Sequence, residues 1–112
     1  MNDDRLPTDL WVRAHMRRCE QEGAFATILH RGDKTGGLVV LKLHRLGEGS
    51  RILTQTRDLE GRLAWMPALE RKEVTHAEAD AYIARTVKRD PDVWVIEIES
   101  KEGWHPFEGR EL

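Results

Sequence analysis

Residues 75 to 99 read THAEADAYIARTVKRDPDVWVIEIE, and this stretch decides the fold. Thr75-His-Ala-Glu78 matches a capping box: the Thr75 hydroxyl can accept the Glu78 backbone N–H while the Glu78 carboxylate reaches back to Thr75. Ala79, Tyr82, Ile83, Thr86 and Val87 then recur at helical spacing, with Asp80, Ala84, Arg85 and Lys88 on the other side. Pro91 disfavours helical geometry at Asp90, so the helix is predicted to stop near Arg89. Beyond the break, Trp94, Ile96 and Ile98 alternate with Val95, Glu97 and Glu99, the period of a strand with one apolar and one mixed face.

Working outward, Thr8 or Asp9 can cap a first helix that runs to about Glu22 and halts at Gly23. Its core side carries Trp11, Val12, His15, Met16 and Cys19. Residues 24–30 and 38–44 are rich in apolar and β-branched side chains, and the glycine-rich 31–37 between them fits the tip of an antiparallel hairpin. Val39, Leu41 and Leu43 project to one face of the second strand, Val40, Lys42 and His44 to the other. Residues 50–56 and 62–66 continue as a meander until Pro67 removes a backbone donor, and 69–73 fits either a loop or a distorted helical turn. Layer logic makes the chain α+β: two-layer, a mainly antiparallel five-stranded sheet packed by two helices. Connectivity leaves open whether the last strand closes an edge or runs between earlier strands.

One compact domain is expected over residues 1–112, with a loose lead-in at 1–7 and a tail at 101–112 that is free to move or, through Trp104 and Phe107, to fold back. Hydrophobic residues at 39% and charged residues at 34% match neither a disordered nor a membrane chain. No apolar run reaches a bilayer span and the start lacks an export segment, so a cytoplasmic location is expected. A net charge of -2 gives no bulk attraction for nucleic acid. The lone Cys19 excludes an internal disulfide and reads as a buried thiol.

Few residues invite chemistry. His15, His30, His44, His76 and His105 lack ligand spacing, so no metal and no cofactor is expected. His15 interrupts an apolar stripe, where a hydrogen-bonded packing role competes with that of an acid or base. Glu97 and Glu99 share a face roughly 7 Å apart; they suit paired-carboxylate chemistry or an ordinary solvated face with cross-strand partners such as Lys42 or Arg51. Pro91-Asp92 and Glu99-Ser-Lys101 superficially match a nuclease pattern, but a straight strand sets the two acids more than about 20 Å apart. Arg31, Asp33 and the following glycines suggest an anion-cradling loop or a plain hairpin tip. The exposed arginines at 13, 17, 85 and 89 would need outward aromatic rings to grip nucleic acid, and the helix faces point the rings inward. The leading recognition cluster is therefore the charged bend Arg85, Arg89, Asp90, Asp92 and Trp94, suited to a small anion or a basic partner, although local ion pairing also accounts for its charges.

Arg89-Asp-Pro-Asp-Val-Trp-Val-Ile-Glu-Ile-Glu99 resembles the closing motif of the family called domain of unknown function 1491, small proteins typical of alphaproteobacteria. Trp11-Val12, Arg17-Arg18, Gly23-Ala-Phe-Ala26 and Arg31-Gly-Asp33 look like its earlier landmarks, so the resemblance covers residues 8–100. It implies a shared compact fold and carries no established activity, catalytic set or ligand.

The favoured reading is a non-enzymatic binding or accessory protein that self-associates or takes a protein partner. An exposed first or last sheet edge would permit strand pairing between subunits, and a solvent-facing Val40/Val95 surface would require a cover. The alternatives are a small hydrolase-like enzyme, if His15 converges with Asp90, Asp92, Glu97 or Glu99, and a nucleic-acid-binding module that uses surface arginines.

Overall fold

A computed structural model describes residues 6–112, so the lead-in expected over 1–7 lies largely outside the described residues. The first helix, α1, spans Thr8–Gln21 and buries Trp11, Val12, His15 and Cys19 of the stripe read from the sequence, with Met16 partly buried beside them. Pro7, not Thr8 or Asp9, occupies the cap position, and no side chain caps the helix. Its end is a Schellman motif: Ala24 N–H donates to the Cys19 carbonyl at 2.9 Å and Gly23 N–H to that of Glu20 at 3.2 Å. Gly23 takes φ 90°, a conformation that costs glycine little.

The strands are β1 (Phe25–His30), β2 (Val39–Arg45), β3 (Ser50–Arg57), β4 (Leu63–Pro67), β5 (Trp94–Ser100) and β6 (Arg110–Glu111), with helix α2 (His76–Arg89) between β4 and β5. They form one sheet of six strands in the order β1-β5-β2-β3-β4-β6. Two expectations change. The sheet gains a sixth strand, because the tail lays Arg110–Glu111 parallel to β4. The hairpin of β1 and β2 is split, because β5 lies between them, antiparallel to β1 and parallel to β2. Loop 31–37 therefore spans two strand spacings, roughly 10 Å, across the end of β5.

The two helices cover opposite faces of the sheet. Trp11, Val12 and Cys19 of α1 pack with Val39, Leu41, Leu43, Trp94, Ile96 and Ile98. Ala79 and Ile83 of α2 pack with Val40, Ile52 and Val95, so the Val40/Val95 surface has its cover within the chain. The capping box of α2 forms: Glu78 N–H donates to Thr75 Oγ1 and Thr75 N–H to Glu78 Oε1, both at 3.1 Å. Between β4 and α2, Leu69, Glu70 and Arg71 all take positive φ, a left-handed turn that helical periodicity cannot announce.

Candidate functional site

Loop 31–37 and the bend after α2, two separate candidates in the sequence, meet at one junction. Asp33 N–H donates to the Asp92 carbonyl at 3.0 Å, and the Trp94 indole N–H donates to the Asp33 carbonyl at 2.8 Å. His30 Nδ1 donates to the Val93 carbonyl at 2.8 Å. Gly32 and Gly37 make the approach feasible, since a Cβ on either would collide with the Asp92 carbonyl oxygen. The Arg31 guanidinium lies 5.7 Å from the centre of the Trp94 ring. Asp33 Oδ2 accepts from Thr35 Oγ1 and Gly36 N–H, so its carboxylate shapes its own loop. Trp94 is 1% exposed and serves as core. Of the leading cluster, Arg85, Arg89 and Asp92 are exposed and Asp90 is half-buried. Asp90 Oδ1 accepts from Asp92 N–H at 3.2 Å, and neither arginine forms the expected ion pair with Asp90 or Asp92.

His15 and the acidic candidates do not come together. His15 belongs to the α1 face, where its Nδ1 donates to the Trp11 carbonyl at 2.7 Å and its ring stacks on Phe107 at 5.0 Å. Burial holds its pKa below the ordinary value. Glu97 lies on the α2 face, on the other side of the sheet, and Glu99 follows it at the two-residue repeat of β5. The packing role of His15 is the one its surroundings support. Burial likewise pushes the Cys19 thiol up to about 11, which keeps it protonated and unreactive at neutral pH.

The densest polar group is one whose burial the sequence reading missed. Lys42, at 1% exposure, donates to Asp80 Oδ1 at 2.8 Å and His76 Nε2 at 3.3 Å, with Glu97 Oε2 at 3.0 Å. An ammonium has three N–H donors and no acceptor; Asp80 and His76 take two of them, and the Glu97 carboxylate adds an ion pair. His44 stands edge-on to His76 with centroids 5.0 Å apart, and its Nδ1 lies 3.0 Å from Ser50 Oγ. The Lys42 hydrogen bond holds the Asp80 carboxyl below its ordinary range. Pairing of Lys42 with Glu97 follows from the strand pattern, but the dryness does not: α2 supplies it by lying over the strand. Among the described residues, no group of three or more His, Cys, Asp or Glu side chains is placed to hold a metal ion.

A cavity of about 260 Å³ opens beside the start of α1, lined by Thr8, Trp11, Thr35, Gln55 and Arg57 among others. It is smaller than the roughly 300 Å³ at which small-molecule sites usually begin. The outer side of β1 is a different kind of surface. Among the described residues this strand ends the sheet; it holds no charged residue, proline or glycine between Phe25 and His30, and leaves Phe25 73% and Leu29 43% exposed.

The family model for DUF1491, described as a protein of unknown function, matches residues 6–108. A crystal structure of a DUF1491 family protein from Caulobacter crescentus superposes with a TM-score of 0.87 at 35% identity, covering 96% of this chain and 99% of that one. An NMR structure of a DUF1491 family protein from the same organism gives 0.82 at 35% identity, with 96% of each chain covered. The solution structure of protein Atu0922 from A. tumefaciens, at 22% identity, a TM-score of 0.72 and 86% coverage of each chain, shares the fold. No curated protein matches the chain. The family model and the Caulobacter structures settle the lineage: the chain belongs to the DUF1491 family.

Proposed function

We propose that the protein is a non-enzymatic binding module whose working surface is the β1 edge, and that its partner there is a second copy of the chain. The observation that carries this reading is an edge strand that has no charge or proline and leaves two large apolar side chains in solvent. Edge strands expose unpaired N–H and C=O groups, and proteins ordinarily blunt them with charges, proline or bulges. Residues 25–30 carry neither charge nor proline, and the one irregularity is a register shift between Ile28 and His30. An antiparallel pairing centred on Thr27 sets Phe25 of one copy opposite Leu29 of the other, which covers both exposed side chains and closes the pair by two-fold symmetry. The polar groups elsewhere support the reading in a second way: Lys42, Asp80, Asp33 and Asp90 are engaged with one another or with backbone.

In this reading the protein acts in the cytoplasm, where the unpaired Cys19 stays reduced. Among the described residues, no helix is long and apolar enough to cross a membrane. The test is light scattering coupled to size-exclusion chromatography from micromolar to millimolar concentration. The wild type is expected to show a concentration-dependent dimer, and Phe25→Lys a monomer of unchanged far-UV circular dichroism. A wild type that stays monomeric throughout, or a Phe25→Lys variant that dimerises equally well, would overturn the proposal.

A further inference from the structure

The tail returns across the α1 face and inserts Phe107, 3% exposed, among Trp11, His15 and Trp65. Two histidines flank this seat, and both are built into it in the neutral form. His105 Nδ1 accepts the Phe107 backbone N–H at 3.1 Å, so its own proton sits on Nε2. A second proton would occupy Nδ1 and set a donor against a donor. His15 uses its Nδ1 proton on the Trp11 carbonyl, so a second proton would go to Nε2 and bring a charge into a buried site. The remaining ties of the tail are few: Trp65 Nε1 donates to the Glu108 carbonyl at 3.0 Å, Leu112 N–H to the Trp65 carbonyl at 2.9 Å, and Arg71 Nη1 to the Leu112 carbonyl at 2.7 Å. The two-residue β6, the Arg51–Glu111 and Arg110–Asp58 ion pairs and the Trp104 N–H donated to Ser100 Oγ add to them.

We propose that residues 104–108 form a pH-operated latch on the α1 face, closed while His15 and His105 are neutral and released when they take up protons, baring the indoles of Trp11 and Trp65. Burial decides the direction, and the charged neighbours divide for and against it. Around His15, burial weighs most against charge; the Trp11 carbonyl and Glu108 favour charge, and Arg18 opposes it. Around His105, burial again dominates, Glu111 favours charge, and Arg51 and His15 oppose it. Both histidines therefore sit below the ordinary value of 6.5 when the latch is closed, and the open state binds more protons. Closure is complete above that value and is lost as pH falls through and beneath it.

The experiment is amide and indole hydrogen exchange by NMR on the full chain, between about pH 7.5 and about pH 5, corrected for the intrinsic pH dependence of exchange. Protection of the Trp65 indole and Phe107 amide, taken relative to the Leu41 amide in the sheet centre, should fall by about tenfold or more. In the double variant His15→Asn, His105→Asn, whose amides can keep both hydrogen bonds and cannot titrate, that ratio should stay level. A level ratio in the wild type, or an equal fall in the double variant, would overturn the latch. If the double variant fails to fold, His105→Asn alone should lose at least half of the pH response in logarithmic units, and an unchanged response would count against the proposal.

Discussion

The two faces of the sheet use the same strands to solve different problems. On the α1 face, Val39, Leu41, Trp94, Ile96 and Ile98 need only area, and a helix plus the returning tail exclude water from them. On the α2 face, the same alternation turns Lys42 and Glu97 toward a helix that covers Val40 and Val95. Burying an ammonium costs several kcal/mol, and Asp80, Glu97 and His76 offset that cost only because all three reach Nζ. Apolar packing degrades by degrees when a group is removed, whereas a charge network fails when one member leaves its partners unpaired.

Trp94→Ala should give the largest loss, about 3–5 kcal/mol, because it leaves a cavity in the α1 face and also frees the Asp33 carbonyl that the indole holds. Urea denaturation measures it. A loss below about 1 kcal/mol would mean that the α1 face does not depend on packing as argued.

Lys42→Ala tests the other face and should cost about 2–3 kcal/mol, the low side of a broken buried pair, because Asp80 is 53% exposed and can be rehydrated. Lys42→Met combined with Glu97→Gln removes both charges and should return to within about 1 kcal/mol of the wild type. The two faces would be alike if the double variant were no better than Lys42→Ala.

Acid sharpens the contrast. The Asp80 carboxyl is held below its ordinary 3.8 by the Lys42 hydrogen bond, so the unfolded chain takes up its proton first as pH falls. The stability it contributes is complete above that value and disappears as pH drops through the folded one. Urea midpoints measured from about pH 5 down to about pH 2 should therefore fall less steeply in the Lys42→Met, Glu97→Gln variant than in the wild type. Parallel curves would remove Asp80 from the explanation.

Much of this contrast is legible in the sequence. The Trp94, Ile96, Ile98 alternation, the Trp11 stripe and the Thr75 capping box each encode a local geometry, and each forms as read. What the local pattern lacks is information about neighbours. A loop of seven residues looks the same whether it joins adjacent strands or steps over a third, and only the crowding of Gly32 and Gly37 against Asp92 marks the second case. Lys42 reads as half-wet because period two gives direction and says nothing of what lies overhead. The tail is a similar case: a lone Phe107 with no periodic company cannot show where it docks. For the candidate site, Trp94 carried two incompatible expectations, inward ring and recognition residue; its alternation with Ile96 was the stronger signal because burial of an indole outweighs any single exposed contact. The sequence points to a first or last sheet edge as a surface, and the strand order puts β1 at one end of the sheet.

The bend that joins these faces gives the smallest effect. Arg85 and Arg89 are exposed on the last turns of α2 and make no ion pair with Asp90 or Asp92, so Arg85→Ala with Arg89→Ala should change stability by no more than about 0.5 kcal/mol. Asp90→Ala, although a smaller change in charge, should cost somewhat more, about 0.5–1.5 kcal/mol, because its Oδ1 holds the Asp92 N–H at the turn into β5. Thermal and urea denaturation of the two variants side by side decide the order. A reversed order would mean that the arginines hold the end of α2 against the sheet; the expected order leaves them as solvent-facing charge whose only available role is at the surface.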